Sequence, residues 1–78
     1  MKCQILVIHG PNLNILGHRN KKYYGDKTIE EINSIIESKA KELGVNVEIF
    51  QSNYEGDIIT KLQETLVTNY TGIIINPG

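Results

Sequence analysis

The spacing of apolar positions changes character along the chain. Ile5, Leu6, Val7 and Ile8 form an unbroken apolar run that stops at His9-Gly10-Pro11. It is too short for a helix, and apolar residues on both faces mark a strand inside a parallel sheet. Residues 10–27 carry Gly10, Pro11, Gly17 and Gly25 among polar groups, which predicts a loop of unusual length. Ordered loops of that length in compact domains usually carry function. Thr28 and Glu31 stand at capping-box spacing and open a predicted helix. Its apolar face is Ile29, Ile32, Ile35, Ile36, Ala40 and Leu43, and Gly44 supplies the stop. Val45, Val47 and Ile49 alternate and lead into Phe50, a second strand. Ser52 and Glu55 repeat the capping-box spacing, with Ile58, Ile59, Leu62 and Leu66 as the expected buried face of a second helix. Ile73, Ile74 and Ile75 form a third strand, closed by Asn76-Pro77-Gly78.

The predicted order is β-α-β-α-β. Right-handed crossovers between parallel strands make a doubly wound α/β sheet the default. In the flavodoxin-like arrangement, strand order 2-1-3, the two helices cover opposite faces. The crevice between the carboxyl ends of strands 1 and 3 is then the topological switch point, where ligands bind. An all-isoleucine third strand expects cover on both faces and a neighbour beyond it, and a bare apolar edge invites association. Residues 1–78 therefore read as the N-terminal portion of a single domain whose remaining strands and helices are either lost or supplied by another chain.

Composition narrows the function classes. The 78 residues are 40% hydrophobic and 22% charged with net charge −1, so no strong field recruits nucleic acid or an anionic membrane. A chain of this size buries only roughly 60% of the surface its unfolded form exposes. Cys3 is the only cysteine, which rules out an internal disulfide and predicts a small buried residue in a reducing, cytoplasmic setting. No apolar run approaches the roughly 18 residues of a membrane span.

Two polar motifs leave the strands that flank the switch point: Gly10-Pro11-Asn12-Leu13-Asn14 and Asn76-Pro77-Gly78. Proline and glycine fix tight turns, so Asn12 and Asn76 are candidates to face the crevice. A neutral amide there can bind a substrate hydroxyl or a developing oxyanion. Either taken alone is better explained by closing a turn through its own backbone, and the two together at one switch point favour a site. The long loop holds Arg19, Tyr23 and Tyr24. A free tyrosine titrates near ~10, and a neighbouring guanidinium favours its phenolate. Bringing it to neutrality takes roughly 4 kcal/mol, more than one exposed arginine supplies; that requires a closed, water-poor loop with additional donors, and a loop arginine–tyrosine pair is most often surface decoration. Dinucleotide and P-loop glycine patterns are absent. His9 is expected to be a satisfied strand-end residue and His18 to be exposed.

Gly10-Pro11-Asn12-Leu13-Asn14, Leu16-Gly17, Arg19, Tyr24-Gly25, Gln51-Ser52-Asn53 with Glu55-Gly56, and Ile74-Ile75-Asn76-Pro77-Gly78 together closely resemble the type II 3-dehydroquinate dehydratases. The likeness runs the whole chain but covers about half of such an enzyme. It implies a flavodoxin-like fold and a cofactor-free loss of water from 3-dehydroquinate through an enolate, giving 3-dehydroshikimate. It matches Tyr24 to the general base, Arg19 to the lid residue that keeps this tyrosine ionised, and Asn12 to an enolate-stabilising residue acting through an ordered water. Asn76 matches a substrate-binding amide. The only implied partners are the small-molecule substrate and further copies of the chain, dodecameric in the family. The lid departs from the family's Arg-Glu-Pro, reading Arg19-Asn20-Lys21, and Tyr54 stands where histidine is common. The family's general-acid histidine would lie beyond Gly78, so the 78 residues alone are expected to be inactive. A non-catalytic interaction remnant and a flavodoxin-like binding module remain the alternatives.

Overall fold

The computed structural model of the chain describes residues 3–18 and 27–77. Strand β1 spans Gln4–His9 and is followed by a 3-10 helix, Leu13–His18, kinked at Ile15. Helix α1 covers Ile29–Leu43, β2 Asn46–Gln51, α2 Glu55–Glu64 and β3 Gly72–Asn76. The three strands are parallel in the order β2-β1-β3, the partial flavodoxin-like sheet that the family resemblance implies. The start of the long predicted loop is thus helical.

Register explains how the faces are divided. Ile5, Val7 and His9 of β1 align with Val47, Ile49 and Gln51 of β2 and with Gly72, Ile74 and Asn76 of β3. Side chains alternate along each strand, so this set shares one face. Helix α1 lies on it: Val7, Val47 and Ile74 line one apolar cavity with Ile36, Ala40 and Leu43. On the other face Ile8 and Ile75 line a cavity together with Ile58 of α2. The central strand carries the core, with Leu6, Val7 and Ile8 almost fully buried. Each such side chain contributes roughly 1.5–3 kcal/mol of burial. A smaller cluster of Leu13 and Ile29, with Ile32 against it, docks the 3-10 helix on α1.

The caps of α1 form as the sequence predicts. Glu31 N–H donates to Thr28 Oγ1 at 3.2 Å, Thr28 N–H reaches Glu31 Oε1, and Gly44 adopts the left-handed conformation at φ 71°. The second predicted capping box does not form. Ser52 N–H still donates to the His9 carbonyl at 3.1 Å, so the chain is not free to turn there. The helix begins two residues after Asn53, with Tyr54 as its cap residue, while Ser52 Oγ accepts Tyr54 N–H and donates to Asp57. Leu66, expected on the buried face, is 85% exposed because α2 ends at Glu64. Cys3, expected buried, is exposed just before β1. Ile73, Ile74 and Ile75 are 41–57% exposed, since β3 pairs on one side only among the described residues.

A polar network ties α2 to the edge strand β2. Lys61 Nζ pairs with Glu48, and Tyr70 Oη donates to the same carboxylate at 2.8 Å. The Lys61 ammonium also lies 5.5 Å from the Phe50 ring centroid, within cation–π range. Hydrogen bonds from Lys61 and then Tyr70 hold the Glu48 carboxyl below its ordinary value of 4.5. The bond to Glu48 raises Lys61 above 10.5, and the same bond, helped by burial, raises Tyr70 above 10.0. A lowered carboxyl stabilises the fold above its ordinary pKa, and that stabilisation is lost as pH falls through the lowered value. The raised Lys61 and Tyr70 contribute below their ordinary values and lose their share as pH rises through the raised ones. Exposure and screening limit the carboxylate's contribution to roughly 0.5–1 kcal/mol. Urea midpoints should therefore separate wild type from Glu48→Gln at neutral pH and converge well below pH 4.5. A separation that does not change with pH would show that the network carries no linked stability.

Candidate functional site

The carboxyl ends of the three strands form one edge, and hydrogen bonds tie their exits together. Gly10 N–H donates to the Asn76 carbonyl oxygen at 2.8 Å, joining the exit of β1 to that of β3. A side chain at Gly10 would collide with the Pro77 carbonyl, so the two segments can pass this closely only with glycine there. Asn12 follows in the left-handed region at φ 68°, the one non-glycine residue to do so among those described. Asparagine tolerates that conformation better than most residues. Its backbone N–H donates to Asn53 Oδ1 at 2.9 Å. Gln51 Nε2 donates both to the Gly10 carbonyl at 3.2 Å and to Asn53 Oδ1 at 3.1 Å.

The structure thus brings Asn12 and Asn76 to the same end of adjacent strands, both exposed to solvent. Arg19 and Tyr24, the other two candidates, lie outside the described residues. Gln51 and Asn53 were visible in the sequence only as parts of a resemblance. Their partners are 41 positions away, so no local pattern signals their role.

His9 sits in the same row as Gln51 and Asn76. It is 3% exposed, and its Nε2 lies 3.0 Å from Asn33 Oδ1 on α1. Its Nδ1 has no hydrogen-bond partner among the described residues, which corrects the expectation of a fully satisfied histidine.

This edge offers neutral amides, backbone groups and one imidazole, which suit binding hydroxyls or a developing oxyanion. No group of three or more His, Cys, Asp or Glu among the described residues could hold a metal ion. A cavity of about 600 Å³ lies instead beside the C-terminus of α1, lined by Ala40, Gly44 and Val45. None of the residues at the strand exits lines it, and the convergence of polar groups is the better guide to the site. Among the described residues, no helix is long and apolar enough to cross a membrane.

Comparison with known proteins follows the same outline. The family model described as "Dehydroquinase class II" matches residues 3–78. A 3-dehydroquinate dehydratase of Lachnospira eligens is 53% identical over 75 residues, covering 96% of this chain and 51% of the relative. One of Helicobacter hepaticus is 51% identical over 75 residues, covering 96% of this chain and 48% of the relative. The crystal structure of the type II dehydroquinase of Butyrivibrio crossotus superposes with a TM-score of 0.96 at 47% identity, covering 99% of this chain and 53% of that one. That of Propionibacterium acnes gives 0.91 at 32% identity, covering 100% of this chain and 53% of that one. The chain spans about half the length of the relatives it matches.

Proposed function

Because the chain belongs to the class II dehydroquinase family, we propose that it supplies the N-terminal half of an enzyme that removes water from 3-dehydroquinate. The observation that supports this reading is the hydrogen-bonded meeting of the Asn12 and Asn76 segments at the switch point. In the proposed reaction the Tyr24 phenolate, kept ionised by Arg19, takes a proton from the carbon next to the ketone. The electron pair becomes an enolate whose oxygen receives hydrogen bonds, with Asn12 acting through an ordered water. Asn76 holds the substrate through its amide. Collapse of the enolate expels the hydroxyl, which leaves as water once protonated by an acid from the other half of the domain. Proton removal next to a ketone needs a base on one side and oxyanion donors on the other, and this set supplies both. A cytoplasmic homo-oligomer acting on a small molecule completes the reading, and a lone cysteine fits a reducing compartment.

The test is a dehydration assay that follows the conjugated product by absorbance. It compares the 78 residues with an extended chain in which the second half of the Lachnospira eligens relative follows Gly78. The 78 residues alone should show no turnover, and the extended chain should turn over at roughly 1–10³ s⁻¹. An extended chain that folds and binds substrate without turnover would favour the binding-module alternative.

A further inference from the structure

We propose that Gln51 and Asn53 are positioning residues that fix Asn12 against Asn76, a role that rests on the reading of those two amides as the site. The contacts form one unbroken chain. Asn12 N–H donates to Asn53 Oδ1, Gln51 Nε2 donates to that same oxygen and to the Gly10 carbonyl, and Gly10 N–H donates to the Asn76 carbonyl. The orientation of both side-chain amides follows from their backbone partners. A carbonyl oxygen only accepts, so the Gly10 contact places the Gln51 nitrogen; a backbone N–H only donates, so the Asn12 contact places the Asn53 oxygen. The Gln51–Asn53 bond between them then has the correct polarity without further adjustment.

The donor group of one side chain and the acceptor of the other are used to capacity. Both Gln51 amide hydrogens and both acceptor positions of Asn53 Oδ1 are engaged. If Asn53 only closed a local turn, its side chain would bond its own neighbouring backbone. It reaches a residue 41 positions away instead, and that residue is the one held in the left-handed region. A backbone in that region persists when its surroundings over-determine it. Gln51, the last residue of β2, crosses over the exit of β1, so the position of Asn12 is set by the sheet itself.

The test uses three variants: Asn53→Leu, which removes the acceptor; Asn53→Asp, which keeps it; and Gln51→Met, which removes the donors. Hydrogen exchange at the Asn12 amide of the 78-residue chain should become roughly tenfold faster in Asn53→Leu and clearly faster in Gln51→Met, and should stay near wild type in Asn53→Asp. The Val7 and Glu48 amides, both bonded within the β1–β2 ladder, should keep their protection throughout. In the extended chain kcat should fall about 10- to 100-fold in the two disruptive variants and recover in Asn53→Asp. An Asn12 amide indifferent to all three variants would overturn the assignment. So would equal loss at Val7 and Glu48, which would mean mere support of the fold, or failure of Asn53→Asp to recover. An extended chain inactive even as wild type would count against the dehydratase reading, while the exchange pattern still decides the positioning role.

Discussion

Replacing Tyr24 with phenylalanine in the extended chain is expected to lower kcat by roughly 10²–10⁴, the usual contribution of a positioned general base. The substitution removes one oxygen and leaves the ring, so binding through ring contacts should survive and KM should change far less than kcat. The reason lies in the reaction. A proton next to a ketone is removed by an unprotonated base placed against it, and a free tyrosine is almost wholly protonated at neutral pH. Arg19 is the group proposed to offset that cost, so Arg19→Lys, which keeps a charge but loses the planar fork, should shift the rising limb of the pH–rate profile upward. Tyr23 has no assigned role, and Tyr23→Phe is the control. Equal losses in Tyr23→Phe and Tyr24→Phe, or less than a tenfold loss in Tyr24→Phe, would remove the base from the scheme.

Leu6→Ala should unfold the 78-residue chain. Leu6 is fully buried in the central strand, in register with Glu48 on one side and Ile73 on the other. Truncating such a side chain costs about 2–5 kcal/mol, from lost burial plus the cavity left behind. Whole small domains are stable by only about 5–15 kcal/mol, and a three-stranded sheet with one apolar edge exposed has less in hand. Ile74→Ala is the contrasting case. It removes the same kind of side chain from the outer strand, where Ile74 is 57% exposed. Its cost should be below about 1 kcal/mol in the 78 residues. Circular dichroism of both variants with urea titration tests this, and equal destabilisation would place the core elsewhere. In the extended chain Ile74→Ala should become the more damaging of the two relative to its cost in the short one, if the added half covers β3.

Much of the fold is legible in the sequence because local rules govern it. The unbroken apolar run of residues 5–8 identifies a central strand, and Thr28 with Glu31 sets the start of α1 through contacts three residues apart. Gly44 marks its end for the same local reason. Where longer-range contacts compete, local spacing misleads. Ser52 has the position of a cap but is held in the ladder by the His9 carbonyl, and Leu66 continues the periodicity of α2 after the helix has stopped. The three isoleucines of β3 read correctly as a strand suited to burial, and they are exposed because burial depends on a neighbour that no local pattern supplies. Asn12 and Asn76 could be singled out because glycine and proline beside them mark strand exits. The brace of Gln51 and Asn53, and the half-satisfied His9, depend on contacts across the fold that sequence separation conceals.

A crystal structure of the extended chain with a carbocyclic hydroxy-acid ligand at the strand exits would measure the decisive geometry. The Tyr24 hydroxyl should lie within about 3.5 Å of the ligand carbon that loses its proton, with Asn76 and the water held by Asn12 bonded to the same molecule. A ligand bound by Asn12 and Asn76 while Tyr24 points to another part of the protein would contradict the proposed dehydration.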